Sequence, residues 1–413
     1  MPENQKKKVH YAWTVCIVST LLIFVTMGTV SNGFSVYLPY IINRNSFTHA
    51  QGSFLVTLRC LVSFCAMLFI GYFYKLFSLR KGVGLAAFCA GLAFSFYSIA
   101  HTYLTFCIGA ALSGVSYGLG SMIPVSILMN RWFVERKTLA LGICASGSGI
   151  ATIILPPVTA ELIRRLSMEW AFLVEAVFIF AAAVVIVLLV RNSPEEKGLR
   201  PFGEKEEGEA SATQATEIPV EESRTLSRKV WILMGCVSLC MGALANPGFS
   251  HLAVLFSTEG FDDMTVAYFI SGVGVMITLG KLIYGQVTDK VGGYKSSILF
   301  GFILLFGHLL CCLAFYKSVS ISVLTVLLLG MGYPIATIGP SVWAVDLASR
   351  DRFPTVVRRL QVVYAAGALA FASIPGILAD RFGSYIPAYL LFSSLLIVTL
   401  LFIWLSYRGH NKG

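Results

Sequence analysis

Twelve apolar runs of roughly 20 residues or more leave this chain very few folds. A run of that length crosses a bilayer as a helix, because every backbone polar group inside lipid must be satisfied within the segment. The runs lie near 11–40, 51–74, 82–100, 104–128, 138–162 and 170–190, then near 231–257, 264–287, 296–316, 320–347, 357–379 and 384–407. Composition agrees, with 56% hydrophobic and 13% charged residues over 413 positions and a mean hydropathy of +0.77. The sequence therefore predicts an all-α polytopic membrane protein, with the lipid bilayer as its first partner. The first run follows Lys6, Lys7 and Lys8 and exceeds the apolar core of a signal peptide, so it is expected to remain as a span.

The polar stretch 191–229 carries three prolines, nine glutamates and almost no apolar periodicity, and reads as a flexible linker on the cytoplasmic side. It divides the chain into a half at 1–190 and a half at 230–413, with six spans each. Four positions of span 4, Gly114, Tyr117, Pro124 and Asn130, recur in span 10 as Gly330, Tyr333, Pro340 and Asp346, all displaced by 216 residues. The halves are thus expected to be pseudo-symmetric. With the N-terminus inside, 24 of the 31 Lys and Arg fall in inside segments and five (Arg44, Arg164, Arg165, Lys317, Arg381) fall outside. Both termini should therefore be cytoplasmic, and the short loops suit a bacterial inner membrane.

The net charge of +10 lies in short clusters between apolar runs, so membrane topology accounts for it and a nucleic-acid partner is not expected. The ten cysteines are scattered through apolar runs, and none has metal-ligand spacing with another Cys or a His, so neither disulfides, a metal nor a cofactor is called for. No phosphate-binding G-x-x-x-x-G-K-[ST] loop is present, which argues against ATP drive. No nucleophile, base and orienter arrangement supports an enzyme.

Charges inside spans are costly, and their positions are the functional signal. Lys281 lies eight residues before Asp289, about 12 Å from the inner end of span 8 and near the membrane centre. It can meet a substrate or form a structural ion pair, and no acid is evident at its depth. Thr278 and Tyr284 are expected on the same face. Arg59 in span 2 lies about 24 Å from the inner end and either lines a vestibule or ties spans together. Polar or aromatic residues within spans add Asn32, Tyr37, Tyr117, Asn246, His251, Tyr333 and Tyr364 as candidate lining positions. The Asn246-Pro247-Gly248 triplet is expected to interrupt helix 7. Glu175 is placed close enough to the outer interface for water to reach it. Asp346 is expected in a gating or structural network with Arg350, Asp351 and Arg352.

The stretch after Lys281, with Gly285, Asp289, Lys290, Gly292, Gly293, Tyr294 and Lys295, resembles the loop signature of the major facilitator superfamily, in which glycines permit a tight turn and the Asp pairs locally. The pattern Asn130-Arg131-Trp132-Phe133, then Arg136-Lys137-Thr138-Leu139-Ala140-Leu141-Gly142, resembles the monocarboxylate transporter and oxalate/formate exchanger group, as does the Gly376, Asp380, Arg381, Gly383 ending of span 11. The resemblance implies the two-half major facilitator fold, with substrate held between the halves near mid-membrane. It also implies that Lys281 occupies the place of a basic residue that binds a substrate carboxylate, usually an arginine, and that Gly285, Asp289, Lys290, Gly292, Arg131, Arg136, Asp346, Asp380 and Arg381 are architectural or gating positions. Two departures matter. Gly367 stands where the oxalate/formate branch has a second cation, which argues against a dicarboxylate. Ile277 stands where monocarboxylate carriers have an aspartate, which removes that proton partner.

The function expected is secondary transport of a small organic anion, a monocarboxylate, by alternating access, with a proton or a counter-anion as the coupled species. The alternatives are export or uptake of a neutral or drug-like solute on the same fold, or a membrane sensor that moves nothing.

Overall fold

In the computed structural model, which describes residues 10–204, 228–347 and 353–410, the apolar runs form twelve helices long enough to cross a membrane. In chain order they are span 1, Tyr11–Asn45; span 2, His49–Leu76; span 3, Leu79–Ser98; span 4, Tyr103–Trp132; span 5, Leu139–Arg165; and span 6, Met168–Leu189. The second set is span 7, Arg228–Ser250; span 8, Asp263–Val291; span 9, Gly293–Cys311; span 10, Val319–Asp346; span 11, Thr355–Phe382; and span 12, Ile386–Arg408. Short polar residues start them. Thr48 forms a capping box with Gln51, and the side chains of Ser78, Thr102, Ser167, Asp262 and Ser318 accept from the first-turn amides of their helices. Gly292 turns span 8 into span 9 at φ 86°, a conformation open to glycine. No sheet forms among the described residues, only an isolated bridge between Phe133 and Phe202.

Each packing relation in the first half has a counterpart in the second. Span 2 packs on span 4 as span 8 does on span 10, span 3 on span 6 as span 9 on span 12, and span 1 on span 5 as span 7 on span 11. The repeat holds at the level of atoms. A Cβ added to Gly114 would strike the Arg59 carbonyl, Val62 Cβ and Ser63 N, and one added to Gly330 would strike the Val273 carbonyl, Met276 Cβ and Ile277 N. The paired glycines thus let span 4 and span 10 lie directly on the backbones of span 2 and span 8.

Three details differ from the sequence reading. Helix 7 passes through Asn246-Pro247-Gly248 and breaks only at His251, after which a short helix continues over Leu252–Thr258. Span 1 widens into π-helix over Phe24–Gly33, which periodicity did not signal. The polar segment is ordered over 191–204, where Phe202 bonds back to Trp132 and Val134, Trp132 Nε1 donates to the Arg191 carbonyl, and Arg131 donates to the Asn192 carbonyl. Residues 205–227, with Glu206, Glu207 and Glu209, lie outside the described residues, as do Arg350, Asp351 and Arg352.

Candidate functional site between the halves

The two halves meet at one end of the bundle. Asp380, at the end of span 11, accepts hydrogen bonds from the His49 and Ala50 amides of span 2, both at 2.7 Å. Further along the same seam, His49 Nδ1 bonds the Tyr385 hydroxyl at 3.0 Å, Ser53 bonds His251 Nε2 at 2.7 Å, and Thr57 bonds Ser373 at 2.5 Å. Beside it span 8 meets span 5, with Ser271 donating to the Ile153 carbonyl at 2.6 Å, Gly274 seated against Thr152, and Thr278 against Gly149. Toward the opposite end, no hydrogen bond or ion pair joins the halves among the described residues. There, Cβ atoms on Gly71, Gly142 and Gly285 would meet open space. The bundle is closed at the Asp380 end and parted at the Asp289 end.

Lys281 sits one turn beyond Thr278, between that contact with Gly149 and Gly285, where an added Cβ would meet open space. It is half-buried, and no hydrogen bond or ion pair engages it among the described residues. The ion pairs among the described residues, Arg44 with Glu169 and Glu161 with Arg164 and Arg165, all lie at the closed end. Tyr284, expected beside Lys281, instead turns away into span 9, where its hydroxyl bonds Ser297 at 3.1 Å and its ring packs on Phe300. Thr278 bonds its own helix at the Gly274 carbonyl.

Arg59 is buried and tied to span 1. Its Nη1 donates to the Val30 carbonyl at 3.1 Å and the Ser31 carbonyl at 3.5 Å, groups that the wide π-turns leave turned outward. Of the two readings of Arg59, these bonds are those of a tie between spans 1 and 2. Around it, Tyr117 and Tyr364 are electrostatic neighbours across the halves, with Cys60 near both and its thiol directed at Asn246. Asn32 bonds Thr152 at 2.6 Å and so joins span 1 to span 5.

The remaining candidates separate from the centre. Tyr333 is sealed in the second half beside His308 and Phe249, so the matched pair Tyr117 and Tyr333 does not line one cavity. His251 belongs to the closing seam, and Tyr37 is sealed behind Phe172. The hydroxyls of Tyr37 and Tyr333 are buried without partners, whereas those of Tyr117 and Tyr364 are not among the sealed groups.

At the parted end, Asp289 and Lys290 are exposed and Asp289 makes no ion pair among the described residues, which corrects the expected local pairing. Asp346 accepts from Tyr407 at 2.7 Å and places its carboxylate where a side chain on Gly293 would sit, at the start of span 9. Arg136 adopts a left-handed conformation at φ 55° just before span 5, and Arg381 lies over the Phe382 ring. Among the described residues no His, Cys, Asp and Glu cluster has metal-binding geometry. The ten cysteines are free thiols, with Cys16 and Cys144 in contact at 3.7 Å. Sequence reasoning missed Asp380 as a cap across the halves and Glu175 as a buried acid. A carboxylate at a helix end and one inside an apolar run were the available signals.

Twelve helices in two matching sets of six, joined by hydrogen bonds at one end and parted at the other, define a polytopic membrane protein of the two-half transporter architecture. The chain belongs to the Major Facilitator Superfamily, whose profile matches residues 20–372. It is similar to "Probable transporter MCH2" of Saccharomyces cerevisiae, at 24% identity over 70% of this chain and 59% of that protein's length. It is also similar to monocarboxylate transporter 12 of Mus musculus, at 26% identity over 78% of this chain and 71% of that one. Among solved structures, the D-xylose-proton symporter superposes with a TM-score of 0.71 at 16% identity, covering 96% of this chain and 98% of that one. The sequence relatives named here are eukaryotic, so they lend nothing to a bacterial inner membrane.

Proposed function

We propose that this protein is a secondary carrier of a small organic anion, a monocarboxylate, working by rocking of the halves 1–190 and 230–413 about a central site that contains Lys281. The observation that carries the reading is the position of Lys281. A half-buried ammonium with no protein partner, between the contact at Thr278 and the open space at Gly285, is costly to keep unless a ligand anion completes it. Tyr117 and Tyr364 supply hydroxyl donors from the two halves, and Asn246 a further polar group. Lysine in place of the usual arginine gives a point charge rather than a two-pronged clamp, which suits one carboxylate oxygen pair presented with little angular constraint. The relatives named as monocarboxylate transporters support the substrate class. With both termini on the cytoplasmic side, the parted end opens to the cytoplasm.

The test is a thermal-shift screen of purified protein against small monocarboxylates, dicarboxylates and neutral analogues, followed by flux of labelled solute in proteoliposomes. A bound ligand at 100 times its Kd raises stability by about 2.7 kcal/mol. We expect a monocarboxylate to shift the wild type and Lys281→Arg but not Lys281→Ala. Equal shifts in wild type and Lys281→Ala would remove the ammonium from the site and favour a neutral solute. Binding without flux would make the protein a sensor.

A further inference from the structure

Glu175 is the one buried carboxyl among the described residues, 5% exposed, in the membrane-spanning part of the first half. Its Oε1 accepts from Thr159 Oγ1 of span 5 at 2.5 Å. Its Oε2 is sealed from solvent with no partner, and so is the hydroxyl of Tyr37 from span 1. The two are electrostatic neighbours, and the Tyr37 ring is fixed by stacking on Phe172 at 3.8 Å and 14°. The expectation that water reaches Glu175 is therefore overturned.

No cation faces this carboxyl. The helices packed on span 6 are spans 1, 3 and 5. Span 1 presents Tyr37, and its Arg44 is engaged with Glu169. Span 3 presents Tyr97, whose hydroxyl is bonded to Ser113. Span 5 presents Thr159, while Glu161, Arg164 and Arg165 pair with one another at its exposed end. A carboxylate sealed with a single hydroxyl donor would lose its hydration with nothing to offset it, so the group rests as the neutral acid.

A cavity of about 390 Å³ lies farther along the same helices, lined by Tyr40, Ile163 and Met168 of the first half together with Ser257 and Asp263 of the second. Those first-half residues lie three, four and seven positions from Tyr37, Thr159 and Glu175, which do not themselves line it, so one or two helical turns separate the sealed pocket from the cavity.

We propose that Glu175 is a proton-binding site of this carrier, exchanging its proton with water that reaches it from this cavity when the helix ends around it open. The Oε2–H bond breaks, water accepts the proton, and a carboxylate bonded to Thr159 remains. Reloading reverses the step. The site is independent of Lys281, and only its coupling to anion movement rests on the reading above.

Infrared spectroscopy of the purified protein tests the site without a substrate. A carboxylic C=O stretching band is expected at neutral pH, shifted by deuterium exchange, lost at alkaline pH, and absent from Glu175→Gln, whose amide oxygen keeps the Thr159 bond. A wild type with no such band, or a band that survives in Glu175→Gln or never titrates, overturns the proposal, and the wild-type measurement stands even if the variant fails to fold. Proteoliposomes then test coupling with whichever monocarboxylate the wild type accepts. Glu175→Gln should retain exchange of labelled for unlabelled anion and lose accumulation driven by a pH gradient. Unimpaired gradient-driven accumulation would refute the coupling. If no monocarboxylate is carried while the infrared band behaves as expected, the anion reading falls and the proton site remains.

Discussion

Removing Asp380 should open the closed end of the bundle. Its carboxylate accepts two amide bonds of 2.7 Å from the first turn of span 2, which belongs to the other half. A hydrogen bond to a charged group contributes about 1.5–3 kcal/mol when shielded, and a carboxylate at a helix N-terminus about 0.3–1 kcal/mol when exposed. Asp380 is exposed, and water replaces it at the freed amides, so the lower figures apply and about 1.4 kcal/mol is a fair total. That is a roughly tenfold shift in the equilibrium between closed and parted forms of this end. The bonds exist only when the end is shut, so the loss falls on one state. Spin labels at the exposed positions His101 and Phe382, one on each half, would report the separation by pulsed dipolar spectroscopy. We expect one distance population in the otherwise unchanged protein and a second, longer population in Asp380→Ala. An unaltered distribution in a variant that melts normally would refute the assignment of these bonds to closure.

Gly114→Ala and Gly330→Ala should each destabilise the protein by about 1–3 kcal/mol, read as a lower melting temperature, because the new methyl meets backbone and Cβ atoms of span 2 or span 8. Gly71→Ala and Gly285→Ala meet nothing within 4 Å and should melt at or slightly above the wild-type temperature. Phe202→Ala should free the strap 191–204 by removing its ring contacts with His10, Trp13 and Phe133, so that limited proteolysis cuts after Arg200 and Lys197 in the variant and spares both in the wild type. Asp262, at the loop end of span 8, is held below the usual carboxylate range by its bond to Thr265. Its contribution, about 0.5 kcal/mol once solvent screening at this exposed site is allowed for, is therefore present above a pH of about 4 and fades as pH falls through the folded value. Asp262→Ala should lower the melting temperature at neutral pH and erase that part of the acid dependence.

The sequence by itself determined the number of spans and the repeat that relates the first six to the last six. Membrane-length apolar runs admit one kind of secondary structure, and the constant 216-residue displacement marks a repeat. It also marked glycines whose necessity became visible only as backbone contact. What it could not determine was which polar groups meet. Tyr117 and Tyr333 match in the repeat, yet one stands near the centre and the other is sealed behind His308, because the repeat fixes helix positions while side-chain surroundings depend on non-equivalent neighbours. Arg59 read equally as a vestibule cation or as a tie between spans, and the carbonyls it meets came from the π-helical stretch of span 1, a local winding with no hydrophobic period of its own. Glu175 read as a wetted interface acid until Tyr37, Thr159 and Phe172, brought from three helices, closed over it. Asp380 read as the end of a motif, and only the approach of two helix ends 331 residues apart made it a latch.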